Sequence, residues 1–190
     1  MAKGLVTDTH PLCVSAARSK ALKEADVVLL LGARLNWILH YGQKPRWSDG
    51  VKFIHVDVLP EEAGNNGADT LPLIGDIQAV TAQLLRESLP RLPATNAYVS
   101  GLKSKVNNNV AKALAIRKKP QSDTAVMNYQ SAYTVIKDIL PPNDIVFVSE
   151  GANTMDIARS FFDVYEPRHR LDAGTFATMG VGMGYAIAGK

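Results

Sequence analysis

Two glycine-rich segments late in the chain hold the residue types best suited to gripping a ligand: VSEGANTMDIAR, residues 148–159, and RLDAGTFATMGVGMGYAIAGK, residues 170–190. Gly151, Ala152 and Asn153 follow the apolar run 145–148. Small residues where a strand gives way to a helix leave backbone N–H groups facing whatever lies at the strand's end, which suits a phosphate. In the second segment Gly174, Gly180, Gly182 and Gly184 crowd around Met179, and Gly182, Gly184, Ala186 and Ala188 fall at every second position. Such density lets another backbone or a flat ligand come close. Packing and cofactor binding both use this pattern, packing more often.

The elements that must position these residues can be read upstream. ADVVLLL, residues 25–31, reads as a strand buried on both faces, because it is β-branched or leucine nearly throughout and stops at Gly32; a parallel sheet is its natural place. A helical pattern over 13–24 precedes it, and a second strand over 52–58 follows the loop 42–50. Residues 71–74 form a third, short strand, which Pro72 puts near an edge. Asp76 can cap a helix over 77–88. Strands and helices alternating at this spacing predict an α/β unit with a Rossmann-like parallel sheet. Within it, the Gly32-Ala33-Arg34 turn and Asp57, near the end of the second strand, could touch a nucleotide, since an acidic residue there can bond ribose hydroxyls. Asp57 lies further on than the dinucleotide motif requires and one fingerprint glycine of three is present, so solvated turn residues fit as well. Trp37 and Trp47 read as core or interface residues rather than adenine platforms.

Pro90 and Pro93 break the pattern, as expected of a linker. A helix over 98–118 follows, with Lys103, Lys105, Lys112, Arg117 and Lys118, and Lys119 just beyond; a solvated face is its commoner use, contact with CoA phosphates the sharper one. Asn128 starts a helix over 129–140, and a strand over 145–149 opens a second α/β domain. The expected division is a central domain over 1–92, a linker with the basic helix over 93–127, and a second domain over 128–190.

Composition narrows the function classes. Of 190 residues, 46% are hydrophobic, enough for a core, and 21 Lys and Arg against 18 Asp and Glu give a net charge of +3. That mild, mixed charge gives no reason to expect nucleic acid and would not repel an anionic substrate. Cys13 is the single cysteine, so an internal disulfide is excluded. His10, His40, His55 and His169 are scattered without metal-ligand spacing. Neither a signal-peptide pattern nor an apolar run long enough for a membrane span is present, so no membrane partner is expected.

The wording of the motifs is more specific than their glycine content. SEGANTMDIAR, PRHRLDAGTF and TMGVGMGYAIA, with LLLGARLNWILHYG near the start, resemble the thiamine-diphosphate enzymes acting on acyl-CoA substrates, 2-hydroxyacyl-CoA lyase and oxalyl-CoA decarboxylase. The resemblance spans nearly the whole chain and is weakest over 91–126. It implies thiamine diphosphate and Mg2+ as cofactors, with Gly151, Ala152, Asn153, Ala177, Thr178 and Met179 at the cofactor. Met179 would be the apolar wedge beneath its bend, the Ala177 carbonyl would accept from the 4′-amino group, and Ala152 and Asn153 would lie near the diphosphate. It also implies an acyl-CoA substrate, and ADP or CoA near Arg34, Asp57, Asp76 and Ile77. TMGVGMG looks nearer the lyase, which yields formyl-CoA and an aldehyde one carbon shorter; the decarboxylase yields formyl-CoA and carbon dioxide. A non-catalytic ADP- or CoA-binding module is the reading from another class.

In that family the activating glutamate belongs to an N-terminal domain, and a Gly-Asp-Gly … Asn magnesium motif should begin after Lys190. The resemblance therefore implies a fragment with no catalytic residue and no metal ligand of its own, inactive alone and incompletely folded in its second half. Glu150 reads as a local hydrogen-bonding residue rather than the activating acid. The full-length protein is expected as a homodimer or homotetramer, peroxisomal in a eukaryote and cytoplasmic in a bacterium.

Overall fold

A computed structural model describes residues 3–90, 93, 96–117, 126–141, 144–176 and 178–189. Their contacts gather into two units, Ala17–Ser104 and Met1–Ala16 with Lys105–Lys190.

The first unit opens with α1, Arg18–Glu24, led by a 3₁₀ turn at Ser15–Ala17. The helix is shorter than the pattern over 13–24 predicts, and no side chain caps it at Ala17. β1, Val27–Leu31, and β2, Lys52–Asp57, pair in parallel, and β3, Thr70–Ile74, joins β2 in parallel on its other side. The order β1-β2-β3 is the Rossmann-like parallel arrangement the sequence predicts, and it leaves Pro72 on an edge strand, where its missing N–H does no harm. α2, Ile77–Arg86, is capped by Asp76, whose Oδ1 accepts from the Ala79 N–H at 3.0 Å.

One face of the sheet packs Leu30 and Phe53 with Leu35, Trp47 and Val51. Trp47 meets Phe53 edge-on with ring centroids 5.0 Å apart and donates from Nε1 to the Leu39 carbonyl at 2.6 Å. An edge-on pair of this kind adds about 1 kcal/mol to the burial of the rings. Trp47 is thus core, whereas Trp37 stays 47% exposed. The expectation that β1 is buried on both faces is overturned: Val27, Leu29 and Leu31 alternate on an exposed face. An unbroken apolar run shows that two faces can be covered, and along β1 only one is.

α3, Ala97–Arg117, begins where the Asn96 Oδ1 accepts from the Val99 N–H at 3.0 Å. Lys103, Lys105 and Lys112 are exposed, matching a solvated face, but Arg117 stacks 3.6 Å over the Phe161 ring. Lys118 and Lys119 lie outside the described residues.

In the second unit α4, Tyr129–Ile139, starts at Asn128, which accepts from the Ser131 N–H at 2.9 Å. β4 is Phe147–Val148, shorter than the strand expected over 145–149, because its parallel partner β5, Arg170–Leu171, meets it at two positions. Between them runs α5, Ala152–Phe161, and the last element is α6, Val181–Ala188. Ala158, Phe161 and Phe162 form the core with Tyr133, Leu140 and Phe147; the Phe147 and Phe162 rings stack at 4.8 Å.

Candidate functional site

At the carboxyl end of β4 the chain passes through Ser149 and Glu150 to Gly151, which sets the angle at which α5 leaves the strand. Gly151 has φ 77° and ψ 168°, a conformation open to glycine and strained for other residues; an added Cβ would meet nothing within 4 Å, so the dihedral angles and not crowding require glycine here. The N-cap residue Gly151 has no side chain to cap α5, and among the described residues its first N–H groups are open to an acceptor. Ala152 is its first residue, and Asn153 is exposed in its first turn. Beside them the Ser149 hydroxyl is buried and finds no hydrogen-bond partner among the described residues.

The second glycine-rich segment comes to the same corner. Thr178 is exposed and Met179 is 83% exposed immediately before Gly180, whose left-handed conformation (φ 82°, ψ 3°) starts α6. The Glu150 carboxylate joins the two segments: Oε1 accepts from the Gly180 N–H and Oε2 from the Gly182 N–H, the latter at 2.5 Å. Glu150 is thus a hydrogen-bonding residue of the corner, as the sequence suggests. Ala177 lies outside the described residues.

Charged side chains that sequence reasoning did not single out brace the corner. Asp172, nearly buried after β5, accepts at Oδ2 from Arg159 Nε at 3.2 Å and Nη2 at 3.0 Å, and at Oδ1 from the Gly174 N–H at 2.9 Å. Arg170 is buried, donates to the Phe162 carbonyl at 2.6 Å, and is held below its usual pKa by burial, which the charges of Asp8 and Asp172 oppose. Asp8 in turn accepts from the Val164 N–H at 3.0 Å. Arg159 and Asp172 lie 13 residues apart and Asp8 and Val164 lie 156 apart, so spacing carries no signal of either contact.

In the other unit, the four residues read as nucleotide contacts lie at or just beyond the carboxyl ends of the strands, the side of an open parallel sheet where ligands bind. Gly32 follows β1 with φ 62° and donates to the Val56 carbonyl at 2.9 Å. A Cβ on it would lie 2.5 Å from Ile77 Cδ1, so Ile77 closes over the turn. Each charged candidate already has a protein partner. Asp57 accepts from the Leu59 N–H at 3.0 Å and faces the buried His55, with Nε2 3.7 Å away; Asp76 caps α2; Arg34 pairs with Glu62 at 3.5 Å. Among the described residues no group of three or more His, Cys, Asp or Glu side chains is placed to hold a metal ion.

A parallel sheet with polar and charged residues at its strand ends, and a separate strand-to-helix corner between β4 and α5, define an α/β protein. Residues 1–84 match the family of the thiamine pyrophosphate enzyme central domain. The chain is 51% identical to 2-hydroxyacyl-CoA lyase 1 of Homo sapiens over 99% of its own length and 32% of that protein's. It is 46% identical to 2-hydroxyacyl-CoA lyase of Saccharomyces cerevisiae over 100% of its length, and 44% identical to oxalyl-CoA decarboxylase of Escherichia coli (strain K12) over 98%. The chain is thus similar to these proteins along nearly its whole length, and spans about a third of the length of the curated relatives it matches.

The corner suits thiamine diphosphate on its own chemistry. A ten-residue helix with no N-cap side-chain bond among the described residues offers N–H donors for a diphosphate, Gly151 and Gly180 leave open space, and Met179 offers an unpacked apolar side chain.

Proposed function

We propose that this chain is a segment of a thiamine-diphosphate-dependent lyase that cleaves 2-hydroxyacyl-CoA to formyl-CoA and an aldehyde one carbon shorter. The observation that carries this reading is the corner at the end of β4, where both glycine-rich segments meet around free N–H donors and an exposed Met179. The identities to the human and yeast lyases, 51% and 46%, support the lyase; the 44% to the decarboxylase, above the 43% to the Oryza sativa lyase, keeps oxalyl-CoA decarboxylase as the second reading.

When bound, thiamine diphosphate supplies a thiazolium ring that accepts the electron pair released on C–C cleavage. The residues of this chain would hold and bend it. The N–H groups at Gly151 and Ala152 and the Asn153 side chain would take the diphosphate, Met179 would support the bend beside Thr178, and the Ala177 carbonyl would accept from the 4′-amino group. Desolvation by Met179 would strengthen every charge interaction at the ring. The activating glutamate and the Mg2+ ligands are expected from other parts of the protein. Arg34, Asp57, Asp76 and Ile77 would meet ADP or the nucleotide of CoA, with Asp57 and Arg34 exchanging their present partners for it. We assign 1–92 to the central domain, 93–127 to a linker and 128–190 to the start of the cofactor domain, in a homodimer or homotetramer that is peroxisomal in a eukaryote and cytoplasmic in a bacterium.

The test is calorimetric titration of the full-length protein with thiamine diphosphate and Mg2+, followed by mass spectrometry of the products from a 2-hydroxyacyl-CoA and from oxalyl-CoA. Binding, with formyl-CoA and a shortened aldehyde, is expected. Formyl-CoA with carbon dioxide from oxalyl-CoA alone selects the decarboxylase. ADP binding with no affinity for thiamine diphosphate overturns the enzyme reading in favour of a binding module.

A further inference from the structure

We propose that Glu150 is the positioning residue that fixes Met179 against the cofactor, by clamping the backbone at the start of α6 to the end of β4. The inference rests on the cofactor reading above.

Met179 is 83% exposed, so its own packing does not hold it in place. A side chain that must support a bent ligand needs its backbone fixed instead. The peptide N–H directly after Met179 is that of Gly180, and it donates to Glu150 Oε1, while the Gly182 N–H donates to Oε2 at 2.5 Å. Each carboxylate oxygen thus takes one donor, and the left-handed Gly180 between Met179 and α6 turns the two N–H groups toward one acceptor, a concavity suited to an anion. The carboxylate also meets the positive end of α6.

The same close approach explains why position 182 is a glycine. A Cβ at Gly182 would lie 2.5 Å from Glu150 Oε2 and 3.1 Å from Glu150 Cβ, so only a bare Cα lets the carboxylate approach. A Cβ at Gly180 or Gly184 would meet nothing within 4 Å. Of the glycines around Met179, Gly182 is therefore shaped by Glu150 itself. Because Glu150 immediately precedes Gly151 and α5, the same residue that starts the diphosphate corner sets the wedge.

The experiment uses the full-length protein with Glu150→Ala, Glu150→Gln, Met179→Ala and the Glu150→Ala/Met179→Ala double variant. Calorimetry measures thiamine-diphosphate affinity, and quenched-flow proton NMR measures hydrogen–deuterium exchange at C2 of the bound cofactor, which reports its bend without turnover. We expect Glu150→Ala to bind the cofactor but to slow C2 exchange on the order of 10- to 100-fold, the usual consequence of a misplacement near 1 Å. Glu150→Gln, which keeps an acceptor, should fall between. The double variant should be no slower than Met179→Ala alone, since both changes act through one side chain. Parental exchange in Glu150→Ala, or fully additive losses in the double variant, overturns the inference, as does weakened binding with unchanged exchange. If Glu150→Ala does not fold, Glu150→Gln decides by the same exchange measurement: slowed supports positioning, parental overturns it. A parent that binds no thiamine diphosphate overturns the cofactor reading itself, a result distinct from any of these.

Discussion

At the level of single residues, the corner depends on buried charge being matched. Asp172 serves Arg159 and the Gly174 N–H together. Truncation in Asp172→Ala leaves a partly buried guanidinium and a backbone donor without their acceptor. We expect a loss of about 3 kcal/mol in urea unfolding, and a smaller loss for Asp172→Asn, which can still accept from Gly174. A change below about 0.5 kcal/mol, the range of ordinary surface substitutions, would refute the bracing role. Residues whose work is local were readable from the sequence: Asp76 and Asn128 cap the helices they precede, because a cap is a relation within one turn. Asp172 and Arg159 were not, since their pairing depends on how α5 lies along β5. Glu150 stood between these cases. Its type and place suggested local bonding, but its partners at 180 and 182 are a matter of tertiary structure.

At the level of elements, the parallel pairing and the strand-end placement of Gly32, Asp57 and Asp76 followed from hydrophobic runs and turn residues alone, whereas the order of the strands came from the structure. Strand lengths did not. β4 reads as a longer strand but is paired only at Phe147 and Val148, since pairing takes two chains and the sequence shows one. The packing of α2 on the β1 turn can be tested directly. Gly32→Ala places a methyl against Ile77 Cδ1 at a positive φ. Thermal or urea unfolding should show a loss of about 1–2 kcal/mol, the left-handed penalty plus the clash. Adding Ile77→Val removes the clashing carbon and should recover part of it; no recovery would mean that the backbone alone sets the cost.

At the level of the whole molecule, the exposed apolar surface is the main departure from expectation. Val27, Leu29 and Leu31 project from an edge strand without a charge, and Met183 and Ile187 are largely exposed on α6. The sequence showed α6 as a run of small and apolar residues, and the structure leaves Met183 and Ile187 exposed within this chain. It showed β1 as apolar on both faces without showing what lies against each. Uncharged edges of this kind template further pairing. Sedimentation of the 190-residue chain should therefore reveal concentration-dependent association, which Leu29→Lys reduces without lowering unfolding stability, Leu29 being 47% exposed. A chain that stays monomeric at every concentration would show that the edge is harmless.

The close fit of Glu150 against Gly182 also bears on descent. A side chain gained at 182 evicts the carboxylate, and a shorter acid at 150 falls back from the bare backbone. On the proposed clamp, a change at either position alone weakens the hold on the start of α6. The two residues are separate letters in the gene, yet on this reading selection would meet them as one character.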